Sequence, residues 1–243
     1  MRWGVILTAV VLAMTLALPA QAQSIAIDIG EGGSVTATSV QLIALITLLS
    51  LAPGIGIMIT CFPFMVTVLA ILRQAVGLQQ SPPNMLIVSL ALFLTYFVME
   101  PVFTEAYDNG IEPLIAEQID IEEAATRAIA PFRTFMAGRT EAKTFAAMAD
   151  LRPDAKGTAL SEDAPLSVLI PSFMLSEVAR AFQVGFLIFL PFLIIDLVVA
   201  AVLMSMGMMM VPPAIVSLPF KLAFFVVADG WSLLAGSLVR GYF

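Results

Sequence analysis

Six charged residues sit inside long apolar stretches of this 243-residue chain: Glu100, Glu177, Arg180, Asp196, Lys221 and Asp229. A charge at bilayer depth costs about 2.5–3.5 kcal/mol on insertion scales, so each one needs a partner or a wet surface. Glu177 and Arg180 are three apart on one helix face and can pair locally. Lys221 and Asp229 are eight apart; they share a face but lie two turns from each other, out of direct reach. Asp196 is flanked by Phe192–Ile195 and Leu197–Val199, with no basic residue nearby in sequence. Its partner therefore belongs to another helix or another subunit. Three chemistries fit these acids. Asp196 or Asp229 carries protons in an ion-coupled transporter, or the two form a proton-sharing dyad of an intramembrane aspartyl protease, or both are structural contacts between packed helices and subunits. A dyad needs unwound chain beside each acid. Asp229-Gly230 hints at that and Asp196 has nothing like it, so structural contact leads, with proton transport through Asp196 as the alternative.

Met204, Met206, Met208, Met209 and Met210 fall within seven residues. Successive helix positions turn by about 100°, so adjacent methionines coat a helix end on several sides, just before Pro212-Pro213 terminates it. Unbranched thioether chains adapt their shape. Several copies around an axis would make a soft seal; ordinary lipid-facing or core packing is the equal alternative.

Other chemistries are poorly provided for. There is no histidine, which removes the commonest general base and metal ligand. The single cysteine, Cys61, excludes an internal disulfide framework and a cysteine zinc site, and reads as a small packed residue. No phosphate-binding glycine loop is present. The expectation is a non-enzyme with no metal, no cofactor and no catalytic residue.

The elements that carry these residues are apolar helices. The chain is 60% hydrophobic and 12% charged, against roughly a quarter charged in soluble domains, and its net charge of −7 invites no nucleic acid. Met1-Arg2-Trp3, the apolar run to Leu18 and Ala20-Gln21-Ala22 read as a secretory signal peptide over 1–22, cleaved after Ala22. Residues 23–39 form a Gly, Ser and Thr rich segment. Residues 40–103 hold two apolar blocks, the first divided by a bend at Pro53-Gly54. A hydrophilic helical segment follows over 104–166. Its stretch 104–163 concentrates 12 of the 18 acidic and 6 of the 11 basic residues. Phe132, Phe135 and Met136 make one apolar helical stripe there. Residues 167–243 form a second apolar helical hairpin turned at Pro212-Pro213. Positive charge in short loops places Arg73 in the cytoplasm and the 104–163 segment outside. The fold class is an all-α membrane protein of kinked helices and hairpins.

The chain resembles the FliP family of flagellar and injectisome export-gate proteins. The matching stretches are Pro171–Glu177, Ala181–Phe186, Phe189–Val198, Gly207–Pro213, Leu218–Leu222 and Asp229–Trp231, with Ile71–Gly77, Pro82–Asn84 and Ala91–Thr95 before them. Two departures are Thr60–Phe64, where the family often carries Thr-Ser-Phe-Thr-Arg, and Ser172 in place of an alanine. The resemblance implies a flagellar subunit and a ring of about five copies, joined by the other membrane subunits of the gate. It implies an entrance for unfolded export substrates at the flagellar basal body, in the inner membrane and largely on its periplasmic side. It further implies an inter-subunit salt bridge between Glu177 and Lys221, and a pore gasket of Met208, Met209 and Met210.

Overall fold

The computed structural model describes residues 35–78, 81–208 and 210–242. The expected signal sequence with its expected cleavage residue Ala22, most of the 23–39 segment, and Met209 lie outside the described residues. Every described element is helical. The order is α1 (Val35–Met58), α2 (Phe62–Val76), α3 (Asn84–Ala106), a π-helical turn (Tyr107–Ile111), α4 (Glu112–Ile115), α5 (Ile121–Arg139), α6 (Ala142–Asp150), α7 (Leu166–Ser205), α8 (Pro213–Val227) and α9 (Gly230–Arg240). Three helical runs are long and apolar enough to cross a membrane, and the bent pair α8–α9 makes a fourth if taken as one span. The fold is the all-α membrane class that the composition requires.

The chain divides into two compact units, residues 1–50 and 51–243. The described side chains of the first unit are those at the head of α1, almost all exposed, among them Ile43, Ile46, Leu48 and Leu49.

In the second unit, the break in the first apolar block does not fall at Pro53-Gly54. Helix α1 runs through Pro53 and ends at Met58, and α2 starts at Phe62. Pro63 explains the shift. It occupies the first turn of α2, where a missing N–H has no intrahelical role and its fixed φ suits a helix start. Gly77 closes α2 in the left-handed region at φ 86°. Helix α2 buries Phe64, Met65, Val68, Leu69, Leu72, Ala75 and Val76, a spacing of three and four that makes one continuous stripe. That stripe packs chiefly on α7, with α3 beside it. The approach is close at Gly185, where a Cβ would stand 2.4 Å from Ile71 Cδ1.

The hydrophilic segment is built as its sequence indicates. Asp120 caps α5 by accepting from the Glu123 N–H at 2.9 Å, acids fill the first turn and Arg139 the last. Met136 is fully buried, and Phe132 and Phe135 pack partly buried beside it. Met136, Phe145 and Ala149 meet Val168, Leu169 and Phe173, so α5 and α6 fasten onto the first half of α7. A loop over 151–165 returns the chain to α7.

Helix α7 has 40 residues, about 60 Å at 1.5 Å per residue, twice a typical hydrocarbon thickness. Its two halves differ. From Leu166 to Gly185 it buries Val168, Leu169, Ser172, Phe173, Ser176, Glu177, Ala181 and Gly185; beyond that only Phe192 and Leu203 are buried. The second half presents Phe186, Leu187, Ile194, Leu197 and Val198 outward. The last apolar block is not one straight helix: α8 and α9 meet at 62°. Asp229 sits in the left-handed region at φ 49°, and a Cβ on Gly230 would fall 2.3 Å from the Phe225 ring. A side chain at position 230 would have to displace the Phe225 ring.

Candidate functional site

The buried charges gather in two separate centres. In the first, Glu177 is fully buried on α7. Its Oε1 accepts from Arg139 Nε at 3.2 Å and from Arg180 Nη1 at 3.2 Å. Its Oε2 accepts from the Tyr242 hydroxyl. Arg139 also donates from Nη1 to the Gly241 carbonyl at 2.8 Å, and its guanidinium lies 3.9 Å from the Tyr242 ring centroid. One carboxylate thus ties together the end of α5, the middle of α7 and the chain's last described residues. Burial, and then the Glu177 charge, pushes the Tyr242 phenol far above the usual tyrosine range, so it stays a neutral donor. Ser176 reinforces the joint by accepting from the Glu141 N–H at 3.0 Å.

The second centre joins α7 to α8. Lys221 Nζ stands 2.6 Å from Asp196 Oδ2, and Ser217 donates to Asp196 Oδ1 at 2.6 Å. Ser217 is wholly buried and the Lys221 side chain is 7% exposed, against 31% for Asp196. The pair is therefore open on its acidic side. This supplies the partner that the local sequence around Asp196 withholds.

Asp229 is exposed at the α8–α9 corner and accepts from the Ser232 hydroxyl at 3.1 Å. Asp196 and Asp229 have different partners, so the proton-sharing dyad of a protease is not assembled. Glu100 is exposed near the end of α3. Cys61 is fully buried at the start of α2, and burial pushes its thiol up to about 12, which keeps it protonated and unreactive.

Of the described methionines in this run, only Met204 lies within a helix. Helix α7 stops at Ser205, because Gly207 turns left-handed at φ 75° and the Met208 N–H returns to the Leu203 carbonyl at 3.0 Å. Met206, Met208 and Met210 belong to the connection that leads into Pro212 and α8. Met206 and Met210 are 68% and 97% exposed, and Met208 42%. The tip of the hairpin is thus a soft apolar loop with few contacts to the rest of its own chain.

The sequence singles out Glu100, Glu177, Arg180, Asp196, Lys221 and Asp229, and gives no sign of Arg139, Tyr242 or Ser217 as their partners. A signal for the Asp196 pair existed. Asp196 lies nine residues before α7 ends and Lys221 eight after α8 begins, so a folded hairpin sets them at the same height. Nothing local pointed to Tyr242, which is 65 residues from Glu177.

The chain matches the model of the FliP family over residues 45–238. It is 49% identical over 237 residues to the flagellar biosynthetic protein FliP of Caulobacter vibrioides, covering 98% of this chain and 89% of that one. Identity to the flagellar biosynthetic protein FliP of Agrobacterium fabrum is 46%, covering 96% of this chain and 98% of the relative. Identity to that of Bacillus subtilis is 46%, over 84% and 92%.

Proposed function

Since the chain belongs to the FliP family, we propose that it is the core channel subunit of the flagellar type III export gate. Several copies assemble, with the other membrane subunits of the gate, into a pore for unfolded export substrates and so serve flagellum assembly. Catalysis has no part in this reading, and the force for export comes from partners. The gate belongs to the inner membrane at the basal body, with much of its mass on the periplasmic side.

The observation that carries the proposal is the exposed methionine loop at the tip of the α7–α8 hairpin, above helix halves whose apolar faces are largely exposed among the described residues. A loop of Met208, Met209 and Met210 repeated around an axis closes a passage by soft contact. It reopens without breaking polar bonds, because thioethers repack easily. The 60 Å length of α7 agrees with a subunit whose first half is clad in protein and whose second half meets lipid or neighbouring copies.

The proposal includes a salt bridge between Glu177 of one copy and Lys221 of the next. In the single chain each already has a partner, so ring closure on this bridge exchanges Arg139, Arg180 and Tyr242 for Lys221, and Asp196 for Glu177.

The deciding experiment is the mass of the detergent-extracted complex, with the chain expressed alone and together with the other gate subunits. A ring of several copies that grows when the small membrane partners co-purify is the expected result. A stable monomer or dimer that binds none of them defeats the proposal.

A further inference from the structure

A cleft of about 540 Å³ runs between α7 and the bent α8–α9 pair, floored by Phe64 and Leu72 of α2. That size lies within the roughly 300–1,000 Å³ of ligand sites. Leu187 and Ile188 line one wall and Phe225, Leu233 and Leu234 the other, with hardly a polar group among them. Arg139 and Arg180 enter the same cleft. The two guanidiniums share one carboxylate, Glu177, and Tyr242 stays neutral, so this cluster keeps one surplus positive charge among the described residues.

The two arginines are not equally available. Arg139 is committed through Nε, Nη1 and Nη2 to Glu177 and the Gly241 carbonyl, and its side chain is 17% exposed. Arg180 is 37% exposed and uses two of its five N–H groups, on Glu177 and on the Arg139 carbonyl. An apolar trough beside an under-neutralised, half-open guanidinium has the chemistry of an anionic amphiphile.

We propose that this cleft binds an anionic phospholipid, with the headgroup phosphate on Arg180 and one acyl chain along α9. Helix α9 has 11 residues and is about 16 Å long, a length that an extended acyl chain fills. Charge favours a lipid over the apolar helices of a second copy. Helices α1, α8 and α9 carry no acidic residue, and both acids of α7 are already paired. The competing occupant is α3 of another copy, which brings Glu100 and Glu105.

The test titrates the full-length detergent-extracted protein with phosphatidylglycerol or phosphatidylcholine of matched acyl chains and reads retained lipid by native mass spectrometry. The expected preference for phosphatidylglycerol is about tenfold, the scale of one charge-assisted contact. Arg180→Gln removes the preference, Arg180→Lys keeps most of it, and Leu187→Trp at the exposed rim lowers retention of both lipids. Equal retention of the two lipids by the unaltered chain overturns the proposal, as does a preference that survives Arg180→Gln. A Leu187→Cys chain labelled with a photoreactive maleimide that crosslinks to α3 of a second copy on illumination, while retaining no lipid, gives the cleft to protein and overturns it too.

Discussion

Lys221 and Asp196 face each other across the α7–α8 hairpin, Nζ to Oδ2 at 2.6 Å, with the buried Ser217 hydroxyl holding the other carboxylate oxygen. The lysine is the more enclosed member, so losing the acid strands a charge that has little access to water. Asp196→Asn should therefore lower the stability of the folded chain by about 1–3 kcal/mol, below the full value for a wholly buried pair because Asp196 is partly exposed. Lys221→Met removes the stranded charge along with the pair and should be the milder change. Thermal unfolding in detergent reads both. Equal effects from the two substitutions argue against an enclosed lysine that depends on Asp196.

The Glu177 centre predicts an alkaline weakness. The folded-state pKa of Tyr242 is raised above its ordinary value near 10, through burial and the adjacent carboxylate. A raised pKa contributes stability that is fully present below the unfolded value and declines as pH rises above it. Stability should thus hold from neutral pH to about 9, where the unfolded Cys61 thiol begins to ionise, and fall more steeply beyond about 10 as the unfolded phenol follows. Tyr242→Phe should cost about 1.5–3 kcal/mol at neutral pH, through the lost bond to a charged acceptor, and should flatten the alkaline fall. An unchanged alkaline slope in that variant would place the weakness at another group.

How far the sequence reveals this arrangement depends on distance along the chain. The all-α class, the hydrophilic segment and the Met136 stripe follow from composition and helical period, which are local. The interruption of the first block was misplaced because proline ambiguously marks either a helix interior or a helix start. Pro53 is carried inside α1 and Pro63 begins α2. The methionine run reads as a helix end in the sequence, whereas the left-handed turn at Gly207 ends α7 at Ser205 and leaves only Met204 of the described run inside it. Arg139 and Tyr242 reach Glu177 through tertiary packing over 38 and 65 residues. Periodicity carries no information over such separations.

Cys61 should behave as an inert thiol. It is fully buried, and burial pushes its thiol from the ordinary 9.0 up to about 12. At pH 8 the thiolate fraction falls about a thousandfold, before any steric protection is counted. Alkylation by iodoacetamide in mild detergent should be negligible over an hour, and complete in denaturing detergent. Mass spectrometry distinguishes the two. Rapid labelling of the folded protein at pH 8 shows the start of α2 to be open.

Replacing Met208, Met209 and Met210 together by alanine should make membranes that hold the assembled gate leak ions or small molecules. Three shortened side chains leave an opening where soft side chains had met. Folding should be little altered, since Met210 is almost fully exposed and Met208 partly so in the chain itself. Dye efflux from vesicles carrying the purified complex, alongside export in cells, measures both consequences. A triple variant that stays tight and exports normally removes the loop from the seal.

Charge reversal distinguishes the inter-subunit bridge from the contacts within one chain, because the two give opposite signs for a double variant. Glu177→Lys alone should block ring assembly under either arrangement, since it sets a third cation beside Arg139 and Arg180. Adding Lys221→Glu restores attraction between copies if the bridge joins neighbours, and ring yield should then recover in part. Within a single chain the same addition sets a second acid against Asp196 while position 177 still faces two arginines. The double variant should then assemble less well than Glu177→Lys by itself. Ring yield by size-exclusion chromatography of the co-expressed gate decides between them. Partial recovery assigns Glu177 and Lys221 to a partner exchange on assembly; a further loss leaves both with the partners they hold in their own chain.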